Sequence, residues 1–413
     1  MAFVGSATIC RKIACTLFWL IIFTNPSQAQ VRGRIANEGF RDSPIYGSLF
    51  FAGPANPSSL PLYSRHPKDI RSLQWTAKGI RQTLTLMRNI GLNTFFLSYW
   101  GHDGETDKWS PTLMFSRRRW PEDTGTSKYS DLEQVTEVRS FFGVAEQNRL
   151  FVCPLIEVSP ANRFWNDFPT NLDNLVSRCS WLLANMGNQP NWLKLYDVNG
   201  VSRVAIRLIE TIHDRPIDPD EFAAGFVRAS DAIFRKTGYR VGFIIDPKSL
   251  PGYGSEYGPT VPAMLACSAV LAVAPYNICN QGTARPESGV QITEADRLTH
   301  ARDLLAKWQQ PGVPLVVPIM PGYDARYVFP DAGVFGFNDN WRHRERELAI
   351  AFGTAGINID CWNGWSEGYG IPPTLEAGDT DLRWAKGCVE ALKLKFKKQK
   401  GILPSKEKKA RSL

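Results

Sequence analysis

Eight apolar, strand-like segments alternate with amphipathic helical patterns, and this alternation predicts an α/β fold built as a single (β/α)8 TIM barrel. Continuous apolar segments separated by helices are typical of parallel strands that are buried on both faces. Eight units over about 350 residues also match the strand count and usual size of such a barrel. The alternative is an open doubly wound sheet, which usually contains fewer strands.

The eight predicted strands run from residue 45 to residue 362. In order they are "IYGSLFFAG" (45–53), "NTFFLSYWG" (93–101), "RLFVCPLIEVS" (149–159), "RVAIRLIET" (203–211), "RVGFIIDP" (240–247), "AVLAVAPYN" (269–277), "PLVVPIMPGYD" (314–324) and "INIDCW" (357–362). A hairpin-like turn at Asn199-Gly200 leads into the fourth of these strands.

Helical patterns fill the intervals between the strands. They include "KGIRQTLTLMRNIG" (78–91), "DLEQVTEVRSFFGVAEQN" (131–148), "DPDEFAAGFVRASDAIFRKTG" (218–238), "EADRLTHARDLLAKWQQ" (294–310), "HRERELAIAFGTAG" (343–356) and "LRWAKGCVEALKLKFK" (382–397). Several of them end in glycine, the usual residue just past a helix C-terminus.

The N-terminal residues 1–29 read as a secretory signal peptide. Arg11 and Lys12 precede an apolar run, and small residues at 27–29 suit cleavage. A membrane anchor is the alternative, but it needs about 20 apolar residues, more than this run offers. We therefore expect a secreted or periplasmic protein without a stable membrane anchor, with a leader at 30–44, the barrel at 45–395 and a basic disordered tail at 396–413.

The net charge of +8 is concentrated at the two ends of the chain. The signal peptide carries +2 and residues 386–413 carry +8, so residues 30–385 together carry −2. A slightly acidic body without interleaved basic and aromatic residues argues against nucleic acid as a partner. The expected partner is a glycan, for the reasons given below, and the expected state is a monomer.

Six of the eight cysteines follow the signal peptide. Cys267 and Cys279 flank one predicted strand, where they could pair or stay buried as free thiols. No C-x-x-C spacing occurs and the five histidines are scattered, so we expect no metal and no cofactor. Nucleophile-elbow, P-loop and H-E-x-x-H motifs are also missing from the sequence.

In a (β/α)8 barrel the active site lies at the C-terminal ends of the strands. Here those ends carry aromatic, acidic and amide side chains: Tyr99, Trp100, His102, Glu157, Asp246, Tyr276, Asn277, Tyr323, Asp324, Arg326, Asp360, Trp362, Asn363, Trp365 and Glu367. Aromatic rings stack on sugar rings, and acids and amides bond sugar hydroxyls. The strand ends therefore predict a sugar site.

Cleavage of a glycosidic bond requires two carboxyl groups, one as acid and one as base or nucleophile. Glu367 is the expected general acid, because neighbouring indoles would desolvate it. Glu157, Asp246 and Asp360 are the candidates for the second role, and the other strand-end residues are assigned to substrate binding. Each residue also has a structural interpretation, because acids cap helices and form ion pairs, and indoles fill cores.

Three segments resemble glycoside hydrolase family 99-like proteins, a group that includes endo-α-mannosidases. "CWNGWSEG" is similar to the W-N-E-W-x-E-G signature of their last strand, "MPGYDARY" to their P-G-[WY]-D segment, and "FFLSYWG" to their second strand end. The order and spacing fit from about residue 45 to residue 390. The resemblance implies a (β/α)8 barrel that acts on an α-linked glycan.

In the mannosidases both glutamates of the signature serve catalysis, one assisting the sugar's own 2-hydroxyl and the other protonating the leaving group. The second glutamate corresponds to Glu367, but the first corresponds to Gly364. The acid of a further E-G-x-x-I-E-P position corresponds to Pro372. The resemblance thus leaves two interpretations: a glycoside hydrolase that uses another second carboxylate, or a non-catalytic glycan-binding barrel.

Overall fold

The protein forms a (β/α)8 barrel, as the sequence predicts. The computed structural model describes residues 31–50, 63–69, 77–98, 131–157, 168–209, 219–246, 267–276, 278–280, 292–309, 314–326 and 333–401. Among them, eight parallel strands make a nearly closed barrel with helices packed around it. The signal peptide predicted at 1–29 and the chain from 402 onward lie outside the described residues.

The strands are short, and most of their residues are buried. They are β1 (Ile45–Phe50), β2 (Thr94–Ser98), β3 (Phe151–Glu157), β4 (Lys194–Tyr196), β5 (Ser202–Ile209), β6 (Val241–Ile245), β7 (Val270–Val273), β8 (Val316–Ile319), β9 (Gly322–Tyr323), β10 (Phe335–Gly336) and β11 (Gly356–Ile359). The barrel order is β7-β6-β5-β3-β2-β1-β11-β8. A parallel bridge between Val273 and Leu315 brings β7 beside β8 and nearly closes the barrel.

Seven α-helices lie in the described part of the chain. They are α1 (Ala77–Asn89), α2 (Asp131–Gln147), α3 (Phe168–Met186), α4 (Pro219–Thr237), α5 (Glu294–Trp308), α6 (Asp339–Phe352) and α7 (Thr380–Gln399). Side-chain caps define two of their starts. Thr293 and Asp296 form a capping box on α5, and Asn338 accepts a hydrogen bond from the Trp341 N–H at the start of α6.

All eight predicted barrel strands are present, with shorter ends than their apolar runs suggest. The predicted strand at 314–324 is in fact two strands, because Pro321 separates β8 from β9, and β9 pairs with β10 in a separate sheet. The hairpin around Asn199-Gly200 is confirmed by the antiparallel pairing of β4 with β5. The last helix continues to Gln399, past the expected barrel boundary at 395.

The leader closes the N-terminal end of the barrel. Ile35 forms an antiparallel bridge with Leu195, and the Gly33 N–H donates to the Tyr196 carbonyl at 3.0 Å. Gly33 has φ +70°, and a Cβ there would lie 2.4 Å from Pro314 Cβ. Only glycine fits this contact, so the segment before β1 is part of the packed fold.

The cysteines within the described residues are all free and buried, so Cys267 and Cys279 form no disulfide. The same residues contain no group of three or more His, Cys, Asp or Glu side chains that could hold a metal ion. None of the described helices has both the length and the apolar character needed to cross a membrane.

Candidate active site

Glu367 sits where β11 runs out into a short 3-10 helix, Trp365–Glu367. The Glu367 N–H donates to the Gly364 carbonyl, and its own carbonyl accepts from the Asp324 N–H at 3.1 Å. Gly368 follows with φ +72°, and a Cβ there would lie 2.9 Å from the Asp324 carbonyl oxygen. The backbone around Glu367 is therefore fixed on both sides of the residue.

The Glu367 side chain is half-buried and has a defined partner. The Tyr323 hydroxyl donates to Glu367 Oε2 at 2.7 Å. The Tyr323 ring stacks on Phe335 with centroids 5.5 Å apart and lies 5.4 Å from the Tyr369 ring. Because these rings hold the phenol in place, the carboxyl group of Glu367 is oriented at the mouth of the barrel.

A second hydrogen bond between side chains joins Tyr276 and Tyr369. The Tyr276 and Tyr369 hydroxyls are 2.7 Å apart, and both side chains are buried. Burial first, and the carboxylate of Glu367 second, raise the pKa of both phenols well above the usual value. Both tyrosines therefore stay neutral and can act as hydrogen-bond donors or acceptors.

The upper layer of the barrel interior carries buried charges. Arg207 pairs with Ile244 in the β5–β6 ladder, and Asp246 follows two residues later on the same face. The Arg207 guanidinium lies over the Phe96 ring, 4.6 Å from its centroid, and has no hydrogen-bond partner among the described residues. Burial lowers the pKa of Arg207, whereas Asp360 and Asp246 raise it.

Asp360 lies directly after β11 and is completely buried. Asn358 Nδ2 donates to its Oδ1, and the Asp360 N–H donates to the Ile319 carbonyl at 2.9 Å. The Asp360 and Glu367 carboxylates both raise the pKa of the Cys361 thiol, after the larger effect of burial. The two acids therefore flank the same short segment of chain.

Gly364 is the position at which the resemblance to family 99-like sequences leads one to expect a glutamate. A Cβ on Gly364 would lie 2.9 Å and 3.0 Å from two ring carbons of Tyr369. The buried Tyr369 ring thus fills the space into which a side chain at 364 would project. The packing of the loop therefore leaves little room for a side chain at position 364.

The two indoles of the motif pack into the wall of the site. Trp362 is fully buried, and Trp365 is buried against Gly370, where a Cβ would come within 2.5 Å of its ring. Neither indole presents a face to solvent in this structure, and the sugar-stacking role expected for them stays a prediction. Asn363, between them, is half-exposed.

Asp324 and Arg326 form a bidentate ion pair at the rim. Arg326 Nε and Nη2 donate to the Asp324 carboxylate at 2.8 Å and 2.7 Å. The hydrogen bond from Arg326 lowers the pKa of Asp324. The Asp324 side chain is buried and that of Arg326 is 60% exposed, so only the guanidinium is open to a ligand.

The structure thus brings most of the described candidates to one end of the barrel. Glu157 is the last residue of β3. Tyr99, Trp100, His102 and Asn277 lie outside the described residues, so their expected roles in substrate binding stay predictions.

The sequence analysis did not single out Arg207 and Tyr369, which lie near the candidate acids, or Glu345, whose buried carboxylate accepts from the Met320 N–H just past β8. Arg207 is a charged residue inside a strand that is buried on both faces, which is itself a signal. Tyr369 follows Gly368 in a Gly/Pro-rich loop and offers no periodicity. Glu345 lies in the charged run "HRERE", but it shares a helical stripe with Trp341, Leu348 and Ala349.

Comparisons with known proteins show the same architecture. No profile of a known protein family matches the chain, and no curated protein matches it by sequence. Among solved structures, a glycoside hydrolase family 99 endo-α-mannosidase from Bacteroides thetaiotaomicron is 15% identical, with a TM-score of 0.57 over 84% of this chain and 97% of that chain. A glycoside hydrolase family 5 mannosidase from Rhizomucor miehei in complex with mannosyl-fructose is 12% identical, with a TM-score of 0.51 over 90% of this chain and 99% of that chain. At such identities the likeness shows the fold alone.

Proposed function

We propose that this protein is an exported glycoside hydrolase that acts on a glycan or polysaccharide, with Glu367 as its general acid. The observation that carries the proposal is the Tyr323–Glu367 contact of 2.7 Å at the C-terminal mouth of the barrel. It presents one half-buried carboxyl group, oriented by a phenol, where barrel enzymes hold their substrates. General acids of glycosidases sit in such partly desolvated surroundings.

Asp360 is the acid that we assign to the second catalytic role. Glu367 and Asp360 both raise the pKa of Tyr276 and of Cys361, so the two carboxylates share their closest surroundings. Asp246 is also buried, on the Arg207 side of the barrel interior. In this reaction Glu367 protonates the leaving oxygen, while the second carboxylate activates water or attacks the anomeric carbon.

The proposed substrate is an α-linked glycan. This part of the proposal draws on the resemblance of "CWNGWSEG" and "MPGYDARY" to family 99-like sequences, and on the barrel shared with mannosidases. Residues 1–29 would direct export, and the mature protein would work as a monomer without a metal ion or cofactor. Nucleic acid is not a proposed partner, because residues 30–385 carry a charge of −2.

The second candidate function is a glycan-binding barrel without catalysis. It is favoured by Gly364, because the Tyr369 ring occupies the space of the missing carboxylate. It is also favoured by the complete burial of Asp246 and Asp360 around Arg207, which is the pattern of a structural ion cluster. In this case the half-exposed Glu367 would bond a sugar hydroxyl without transferring a proton.

The experiment that separates these functions is a screen of the mature chain on α-mannans and α-glucans. Released reducing ends report cleavage, and isothermal calorimetry on the same glycans reports binding. The hydrolase proposal predicts cleavage of at least one glycan that the protein binds. Binding without release of product would establish the glycan-binding alternative, and absence of both would contradict the two proposals together.

A further inference from the structure

Glu345 lies on α6, and its carboxylate is buried between the ends of two barrel strands. The Cys279 thiol donates to Glu345 Oε1 at 3.1 Å, and the Met320 N–H donates to Oε2 at 3.0 Å. Cys279 belongs to the turn that follows β7, and Met320 follows β8 directly. One carboxylate therefore ties two neighbouring strand ends together.

The same helix holds the second polar group of Met320. The Trp341 indole, one helical turn before Glu345, donates from Nε1 to the Met320 carbonyl at 2.9 Å. Both the N–H and the C=O of Met320 are thus bonded to α6 side chains. Because Met320 opens the segment that leads to β9, α6 sets where that segment begins.

Each of the two strand ends also carries a tyrosine of the candidate site. Tyr323 comes three residues after Met320 and donates to the Glu367 carboxylate. Tyr276 comes three residues before Cys279 and bonds Tyr369. Glu345 is therefore linked to both tyrosine contacts through the backbone segments that contain Met320 and Cys279.

We propose that Glu345 is a positioning residue for Glu367, and that the charge on Glu345 regulates the site by tightening or loosening the Met320–Tyr323 segment. The proposal rests on the function proposed above, in which Glu367 is the general acid. The ionised carboxylate makes charge-assisted bonds to Met320 and Cys279, and these are about twice as strong as neutral ones. Protonation of Glu345 weakens both bonds at once.

The charge on Glu345 changes within an ordinary pH range. Burial raises the pKa of Glu345 to about 7, opposed by the hydrogen bonds from Cys279 and Met320 and assisted by the charge of Asp360. Two further groups face this cluster: Cys388 on α7, and Arg297 on α5, which acts on the Cys279 thiol. The Glu345 carboxyl group is therefore half ionised near pH 7 and becomes fully charged only well above that pH.

The test compares the full mature chain with Glu345→Gln, which keeps the shape and an acceptor oxygen but cannot ionise. Glu347→Gln is the matched control, because Glu347 lies on the same helix with its side chain 49% exposed. Tyrosines are labelled with 13C at Cζ, and the Tyr323 signal is assigned by its loss in Tyr323→Phe. In the wild type and Glu347→Gln we expect this signal to shift with an inflection near pH 7, and Glu345→Gln to lack that inflection.

Kinetics on a cleaved glycan give the second readout. Glu345→Gln should lower kcat by about 10-fold to 100-fold above pH 7 with little change in KM, because a misplaced acid loses reactivity and not binding. An inflection near pH 7 that persists in Glu345→Gln, or that the wild type lacks, would overturn the proposal. A rise in KM with an unchanged kcat would overturn it too.

A second variant, Cys279→Ala, keeps the proposal testable if Glu345→Gln does not fold. Cys279→Ala removes the thiol donor that lowers the pKa of Glu345, so the Tyr323 inflection should move to higher pH. An inflection that stays at the wild-type pH in Cys279→Ala would contradict the proposed role of Glu345. The NMR measurement needs no substrate, so it tests the positioning role independently of catalysis. A protein that cleaves no glycan but shows these pH-dependent shifts would contradict the hydrolase function and still support the positioning role of Glu345.

Discussion

The two ends of the barrel use their polar side chains differently. At the N-terminal end two buried asparagine side chains bond the backbone. Asn93 accepts from the Tyr46 N–H and donates to the Pro44 carbonyl, both at 2.9 Å, and Asn191 donates to two further carbonyls. Such bonds fasten one segment of chain to another, so this end of the barrel serves the fold.

At the C-terminal end several polar side chains bond one another. Tyr323 bonds Glu367 and Tyr276 bonds Tyr369, each at 2.7 Å, while Asp360 accepts from a neighbouring asparagine. Bonds between side chains are a small share of the hydrogen bonds in proteins, about 10–15%. The Tyr323–Glu367 and Tyr276–Tyr369 bonds fix candidate site residues relative to each other, so substitutions at the two ends should fail in different ways.

The largest loss of stability is expected at the N-terminal end, from Asn93→Ala. The change leaves the buried Tyr46 N–H and Pro44 C=O without partners, each costing about 1–3 kcal/mol. Denaturant unfolding should show a loss of about 2–6 kcal/mol, with unchanged turnover per folded molecule. A variant of normal stability with lost turnover would contradict the division between the two ends.

Glu345→Gln should change how stability depends on pH. The folded pKa is raised from 4.5 to about 7, so the folded protein binds more protons than the unfolded chain in that window. The stability contributed by the protonated group is fully present below pH 4.5 and is lost as pH rises to about 7, by about 3 kcal/mol. Unfolding across this range should show that decline in the wild type and in Glu347→Gln but not in Glu345→Gln; equal slopes in all three would contradict it.

Gly364→Ala tests how tightly the loop is packed. The added Cβ would lie 2.9 Å from the Tyr369 ring, which is buried and bonded to Tyr276, so it cannot move aside easily. We expect a loss of about 1–3 kcal/mol, measured by denaturant unfolding. Gly387→Ala is the control, because nothing lies within 4 Å of a Cβ at that position. Equal stability of the two variants would show that the loop has room for a side chain at 364.

Tyr323→Phe should have only a small effect on stability. The ring contacts stay, and the half-buried Glu367 can bond water instead, so the loss should be about 1 kcal/mol. Turnover should fall more clearly, since the acid loses the group that orients it. Tyr239→Phe, which removes a hydroxyl away from the site, is the kinetic control. Identical turnover rates for Tyr323→Phe and Tyr239→Phe would show that the Tyr323 hydroxyl does not contribute to catalysis.

The fold could be predicted from the sequence because its strands are continuous apolar runs, and those runs do not depend on distant partners. The site was harder to predict. Trp362 and Trp365 satisfy the expectation for a sugar site by composition, yet only packing against Gly370 and the neighbouring loop shows that they are buried. Residue type alone does not show whether an aromatic side chain is buried in the wall of a site or exposed to a ligand.

The roles of Tyr369 and Glu345 depend on tertiary contacts that no local pattern encodes. Tyr369 matters because it meets Gly364, Tyr276 and Tyr323, which come from three different segments. Glu345 stands in a run of charged residues that resembles a solvated helix face. Its place on the buried stripe of α6 was readable from helical periodicity, but its partners were not.

The most direct test of the central claim is the paired measurement of turnover and melting temperature for Glu367→Gln. The amide keeps the shape and still accepts the Tyr323 hydroxyl, but it has no proton to transfer. General acid catalysis contributes about 10²–10⁴-fold, so turnover should fall by that order while glycan affinity and melting temperature stay at the wild-type values. Early unfolding of the variant, or hydrolysis at an undiminished rate, would contradict the assignment of Glu367 as the acid.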